Sequence, residues 1–273
     1  MRNKTTIETT DDLLALRGPD GVVRVDGDLI INCSVPRSVG NQVSGLYVRG
    51  YLHVRGNLDV RGYLVVRGYL VVRSDLDVGG YLEVGGYLVV GGYLDVRGYL
   101  EVGGYLVVGG YLEVRGYLDV GGSLDVRGYL EVGGNLDVGG SLDVGGNLDV
   151  GGYLEVRGYL DVGGSLDVRG DYLVIAGDLI WSHAAVPLTP GKVYIRRILP
   201  PAWQRDHWQE RLGMDISDGC YNEICETVLK KIINLLNDEK WTSTERWMLE
   251  TLRDSRKEPP TWVADLQKER AAE

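Results

Sequence analysis

The sequence predicts a mostly-β chain, a parallel β-solenoid of six-residue repeats with a short N-terminal helical cap and an all-α C-terminal domain. Two observations carry this reading. Leucine recurs every six residues from Leu46 to Leu166, and valine recurs two places later from Val48 to Val168, without exception. Between these pairs stand Tyr, Asn or Ser before the leucine, Asp or Glu in the middle, and a Gly-Gly or Arg-Gly pair at the boundary. A fixed short period of this kind is the signature of stacked repeats. A third observation concerns the number of sides. The acid position is instead valine at Val71, Val89 and Val107, spaced by eighteen residues. That spacing favours a three-sided coil of 18 residues, with a two-sided coil of 12 as the alternative.

Taken in chain order, Thr9-Thr10-Asp11-Asp12 followed by Leu13, Leu14 and Leu16 reads as a short capped helix. The segments Gly21–Val25 and Gly27–Ile31 are early versions of the hexad, and Asn32 to Ser44 interrupts the register. This cap would protect the otherwise exposed sheet edge. Residues 1–44 therefore form a cap with irregular coils, and residues 45–181 the regular solenoid.

Six is an even number, so in extended chain each hexad position keeps its face. Gly, Leu and Val share the inward parity, while Tyr, the acid and the Gly/Arg position point outward. The boundary glycine is expected to supply positive φ for the corner after each short strand. An extra residue near Asp171-Tyr172 shifts the pattern before Gly177–Trp181 closes the solenoid. Residues 182–273 then form a junction and a helical domain. Pro187, Pro190, Pro200 and Pro201 mark the connection, and Tyr221, Ile224, Cys225, Val228, Leu229, Ile232, Leu235 and Leu236 follow the helical period. Thr242 and Glu245 make a capping box before Trp247.

Hexads such as Leu76-Asp77-Val78-Gly79-Gly80-Tyr81 resemble those of left-handed β-helix acyltransferases. That resemblance implies the fold but not the activity, because the inserted loops that build an acyl-donor site are absent from the repeats. The Gly- and Val-rich texture is also similar to that of the bactofilins, and the acidic coils to pentapeptide-repeat proteins that imitate DNA. Gly134-Asn135-Leu136-Asp137-Val138 and Gly146-Asn147-Leu148-Asp149-Val150 resemble the repeats of phage fibre shafts.

Charge is unevenly distributed. Residues 45–74 carry Arg49, Arg55, Arg61, Arg67 and Arg73 against Asp59 alone, a net +4, whereas residues 75–181 hold 17 acids and five arginines, a net −12. The candidate binding surface is the acidic series Asp95, Glu101, Glu113, Asp119, Asp125, Glu131, Asp137, Asp143, Asp149, Glu155, Asp161 and Asp167, opposed by the basic end at Arg49 to Arg73. Such rows serve solubility or grip a basic or nucleic-acid-binding protein. The tyrosines before the leucines either cover neighbouring backbone or stack on sugars or bases. In the tail, Trp203 and Trp208 stand among Lys192, Arg196, Arg197, Arg205 and Arg211, which suits contact with phosphates and bases, or packing of an amphipathic junction.

The three histidines, His53, His183 and His207, have no clustered nucleophile or carboxylate partner in the sequence. The calcium-binding Gly-Gly-x-Gly-x-Asp repeat is absent, and Cys33, Cys220 and Cys225 match no zinc spacing and read as buried thiols. The sequence thus predicts a non-enzymatic binding scaffold without metal or cofactor, homo-oligomeric and carrying a protein partner. The alternatives are a nucleic-acid-mimicking decoy inhibitor, phage-encoded in one version of that reading, and an acyltransferase-like enzyme. No apolar run approaches a membrane span, and the N-terminus lacks the apolar core of a signal peptide, so the expected location is the cytoplasm.

Overall fold

The repeated Leu-x-Val unit forms a three-residue strand in every hexad from Leu52–Val54 onward, save one four-residue strand, Tyr63–Val66. A computed structural model describes residues 3–170, 172–181 and 192–199 of the chain. Each strand pairs in parallel with the strand 18 residues away: Leu82 lies beside Leu64 and Leu100, and Leu94 beside Leu76 and Leu112. Three hexads therefore complete one turn, and the 21 hexads from Leu46 to Val168 make a rod of about 35 Å at ~4.8 Å per stacked strand. The coil is three-sided. We call the sides the first, second and third faces, beginning with the strands Gly45–Val48, Leu52–Val54 and Leu58–Val60 respectively.

The leucine and the valine two places after it are at most 2% exposed in all 21 hexads, and inside the rod Leu stacks on Leu and Val on Val from coil to coil. This is the parity that extended chain requires, and it leaves the intervening residue facing outward.

The corners contradict one expectation. Among the described residues the only positive φ belongs to Gly21, at 79°, outside the regular hexads. Glycine is needed at the corners for a different reason. The coils approach so closely there that a Cβ on Gly98 would lie 2.8 Å from the carbonyl oxygen of Gly80, and one on Gly116 2.7 Å from that of Gly98. Those same carbonyls accept hydrogen bonds from the glycine N–H groups of the next coil, as from Gly98 N to Gly80 O at 2.9 Å. A side chain would break the bond that joins the coils.

In six of the hexads that lack tyrosine, its replacement bonds the next coil. Asn57, Asp75, Asn135 and Asn147 accept, through Oδ1, from the backbone N–H 18 residues ahead, and Ser123 and Ser141 do so through Oγ. Only short side chains with an acceptor oxygen can reach that group.

The N-terminal cap is as expected. The helix Thr10–Ala15 is closed by a reciprocal capping box in which Thr9 and Asp12 each bond the other's backbone N–H, and it buries Leu13. Asp12 is held below the usual carboxylate range by the Thr9 side-chain bond and then by the Thr9 backbone. The irregular segment replaces one third-face strand. Val35 bridges to Leu58, the short helix Arg37–Gly40 follows, and the pairing offset there is 23 rather than 18, Val22 lying beside Gly45. Cys33 is half-buried against the core, and burial raises its thiol pKa.

At the other end the extra residue near Tyr172 produces an offset of 19 between Leu154 and Leu173. The strand Tyr172–Trp181 continues around a corner and joins the first and second faces into one sheet. The strand Lys192–Leu199, in the region expected to be junction, adds a further parallel pairing to it. The third face is a separate seven-stranded sheet. The helical C-terminal domain expected from the sequence lies outside the described residues, as do His183, His207, Cys220 and Cys225.

Candidate functional site

The 18-residue register sorts the outward middle residues into three rows. On the first face the row runs Tyr47, Val65, Glu83, Glu101, Asp119, Asp137, Glu155. On the second it runs His53, Val71, Val89, Val107, Asp125, Asp143, Asp161. On the third it is acidic throughout: Asp59, Asp77, Asp95, Glu113, Glu131, Asp149, Asp167. The acids of successive coils, expected to stack in columns, do so and are distributed over three faces.

Carboxylates ~4.8 Å apart repel by about 1 kcal/mol in water and more beside a low-dielectric core. The rows show it in their proton affinities. Asp59, Asp95, Glu101, Asp143 and Asp161 are all pushed above the usual carboxylate range, first by burial of the carboxyl against the sheet. The second cause in each is a carboxylate on an adjacent coil: Asp77 for Asp59 and Asp95, Glu83 for Glu101, Asp125 for Asp143, and Asp143 for Asp161.

Arginines at the corners offset part of this charge. Arg169 reaches both Asp149 at 2.8 Å and Asp167 at 3.1 Å, Arg115 lies 3.6 Å from Glu113, and Arg67 lies 2.9 Å from Glu83. These are exposed pairs, worth little individually. The basic end also divides among the faces, with Arg49 and Arg67 leaving the first, Arg55 and Arg73 the second, and Arg61 the third.

Glu155 departs from the outward acidic series. It is only 3% exposed, and its carboxylate lies 3.9 Å from the Arg157 guanidinium. Its row neighbour on the far side is the buried Val174 of the strand Tyr172–Trp181 rather than another carboxylate, because the hexads end there. Trp203 and Trp208, the tail candidates, lie outside the described residues.

The tyrosines form ladders. Tyr63, Tyr81, Tyr99 and Tyr117 stack on the first face, Tyr51, Tyr69, Tyr87 and Tyr105 on the second, and Tyr93, Tyr111 and Tyr129 on the third. Ring centroids are 4.6–5.2 Å apart and the planes are within 7° of parallel. Each inner ring therefore spends both faces on its neighbours, which leaves only edges and hydroxyls for anything else. The inner rings therefore offer no open face to a sugar or base.

His53 is the sole histidine among the described residues. Its Nε2 is buried without a hydrogen-bond partner, and burial, followed by Arg73 and Arg55, lowers its pKa and favours the neutral ring. No cluster of three or more His, Cys, Asp or Glu side chains suited to a metal occurs among the described residues. Among them, too, no helix is long and apolar enough to cross a membrane. On the second face valine gives way to aspartate and tyrosine to serine between the same two coils. No family model, curated protein or solved structure matches the chain.

Proposed function

We propose that the chain is a non-enzymatic binding or scaffolding protein whose solenoid holds a basic protein partner on rows of carboxylates, while the C-terminal segment recruits further partners. The observation that supports this most is the third-face row, seven carboxylates in register from Asp59 to Asp167 with no neutral interruption. Such a row is self-repelling, and a cationic partner laid along it relieves the repulsion as well as gaining attraction. A rigid β-rod pre-organises the charges, so little ordering cost remains on binding.

A nucleic-acid decoy is the second reading. With one carboxylate per ~4.8 Å of rod axis, a row is sparser in charge than one DNA strand, which carries one phosphate per about 3.4 Å of helix axis, and the arginines among the carboxylates thin the charge further. This favours a general basic partner over strict mimicry. An acyltransferase-like activity has least behind it, since acid–base chemistry requires a distinctive local constellation and successive coils repeat the same side chains.

The test uses the third face alone. In one variant Asp95→Asn, Glu113→Gln, Glu131→Gln and Asp149→Asn remove four charges, and binding of the full chain to polylysine is measured from low to high salt. The parent should bind more tightly and with a steeper salt dependence. Equal affinity of parent and variant at every salt concentration would assign the rows to solubility only.

A further inference from the structure

The second face changes character halfway along the rod, and two rows change together. Its middle row is Val71, Val89 and Val107 and then Asp125 and Asp143, while its aromatic ladder runs to Tyr105 and is followed by Ser123 and Ser141. The N-terminal half thus carries an apolar stripe beside a tyrosine ladder, and the C-terminal half carries neither, Tyr159 standing apart from the ladder. The stripe remains part-exposed, with Tyr105 46% accessible. Val65, at the same hexad position on the first face, is by contrast only 5% exposed, flanked in its row by Tyr47 and Glu83 with the Arg67–Glu83 pair alongside.

We propose that the second face is a homodimer interface in which two copies pack face to face and antiparallel, with the twofold axis crossing the rod between Val89 and Val107. Val89 of each copy then covers Val107 of the other at the centre, and Val71 lies opposite Asp125. On the outer coils to one side of the axis stand Arg73 and Arg55, and on those to the other side Asp125 and Asp143. The twofold sets the coil of Arg73 in one copy against the coil of Asp125 and Arg127 in the second copy, and the coil of Arg55 against that of Asp143. Counting Arg127 and Asp161, the lower half of the face carries +2 and the upper half −2, with His53 neutral. A parallel arrangement would place each half against its like.

This match of a charge pattern to its own twofold image is what selects a second copy over an unrelated partner. An isologous contact of this kind also closes at two subunits. The size is adequate. A face about 35 Å long and up to ~20 Å wide offers roughly 600 Å² per copy, near the lower end of stable interfaces. The proposal is independent of partner binding on the third face, which stays uncovered in the pair.

The test is the mass of the full chain by sedimentation velocity across a concentration series. The parent should be a dimer. Val89→Asp with Val107→Asp recreates the hexad Leu94-Asp95-Val96, so the fold is retained, which an unchanged circular dichroism spectrum and melt verify. The dimer affinity of this variant should fall on the order of a hundredfold, because carboxylates are buried without partners.

Two further variants test the orientation. Arg55→Glu with Arg73→Glu makes the whole face acidic, and Asp125→Lys with Asp143→Lys makes it basic. Each alone should be monomeric, and an equimolar mixture should form a heterodimer. A monomeric parent, a folded Val89/Val107 variant that remains as dimeric as the parent, or charge variants that dimerise alone would each overturn the proposal.

Discussion

Leu118 and Asp119 are adjacent in sequence and opposite in environment: the leucine is 1% exposed inside the rod, and the aspartate stands in the first-face row beside Glu101 and Asp137. Leu118→Asp would bury an unpaired carboxylate among leucines and valines, at a cost of at least about 4 kcal/mol. Asp119→Asn removes one member of a repelling series and should change stability by less than about 1 kcal/mol. Urea unfolding of the two variants checks this, and equal losses would contradict the inward–outward assignment. This parity was legible in the sequence because an even repeat in extended chain admits no other. The role of the boundary glycines was not. Composition marks glycine as a corner residue, but only the stacked backbone shows that Gly98 and Gly116 are there for contact with the coil beneath rather than for positive φ.

At the scale of a face, the rows predict an unusual pH profile. Asp59, Asp95, Glu101, Asp143 and Asp161 are held above their ordinary pKa values, so the folded rod binds their protons more tightly than the unfolded chain does. The stabilisation this gives is fully present when the groups are protonated and is lost as pH rises through their folded values. Asp20 acts in the opposite sense. Its hydrogen bond from Arg24 lowers it to about 2, so its contribution is present above the ordinary carboxylate range and lost as pH falls towards 2. Asp12, held down by Thr9, behaves likewise.

The melting temperature should therefore rise as pH is lowered from 7 to about 4–5 and fall below that. Added salt at pH 7 should also raise it, by screening the rows. A monotonic fall from pH 7 downward would contradict the repulsive-row description. The acids and their stacking in columns were legible in the sequence, but the membership of each row follows only from the 18-residue register. Neighbours in a row are 18 residues apart, and single changes such as Val107 to Asp125 acquire meaning only when the chain is written at that period. The burial of Glu155 was not legible at all, since it depends on the strand Tyr172–Trp181 that takes over where the hexads end.

For the whole molecule, every surface feature depends on one quantity, the 18-residue offset between stacked strands. It unites Asp59 to Asp167 in one row, gathers Val71, Val89 and Val107 into one stripe, and sets the arginines and aspartates of the second face at equal distances from a midpoint. A 12-residue coil would keep the same buried leucines and valines yet scramble all three rows, placing Val89 rather than Asp95 beside Asp77. The most direct test is therefore a distance. With Cys33, Cys220 and Cys225 replaced by serine, nitroxide labels are placed at Asp77→Cys and Asp95→Cys in one protein, and at Asp77→Cys and Val89→Cys in another. Neighbouring strands are about 5 Å apart, so the first pair should show strong dipolar broadening and the second much less. Broadening of the 77/89 pair without broadening of the 77/95 pair would contradict the three-sided coil, and with it the rows, the stripe and the interface built upon them.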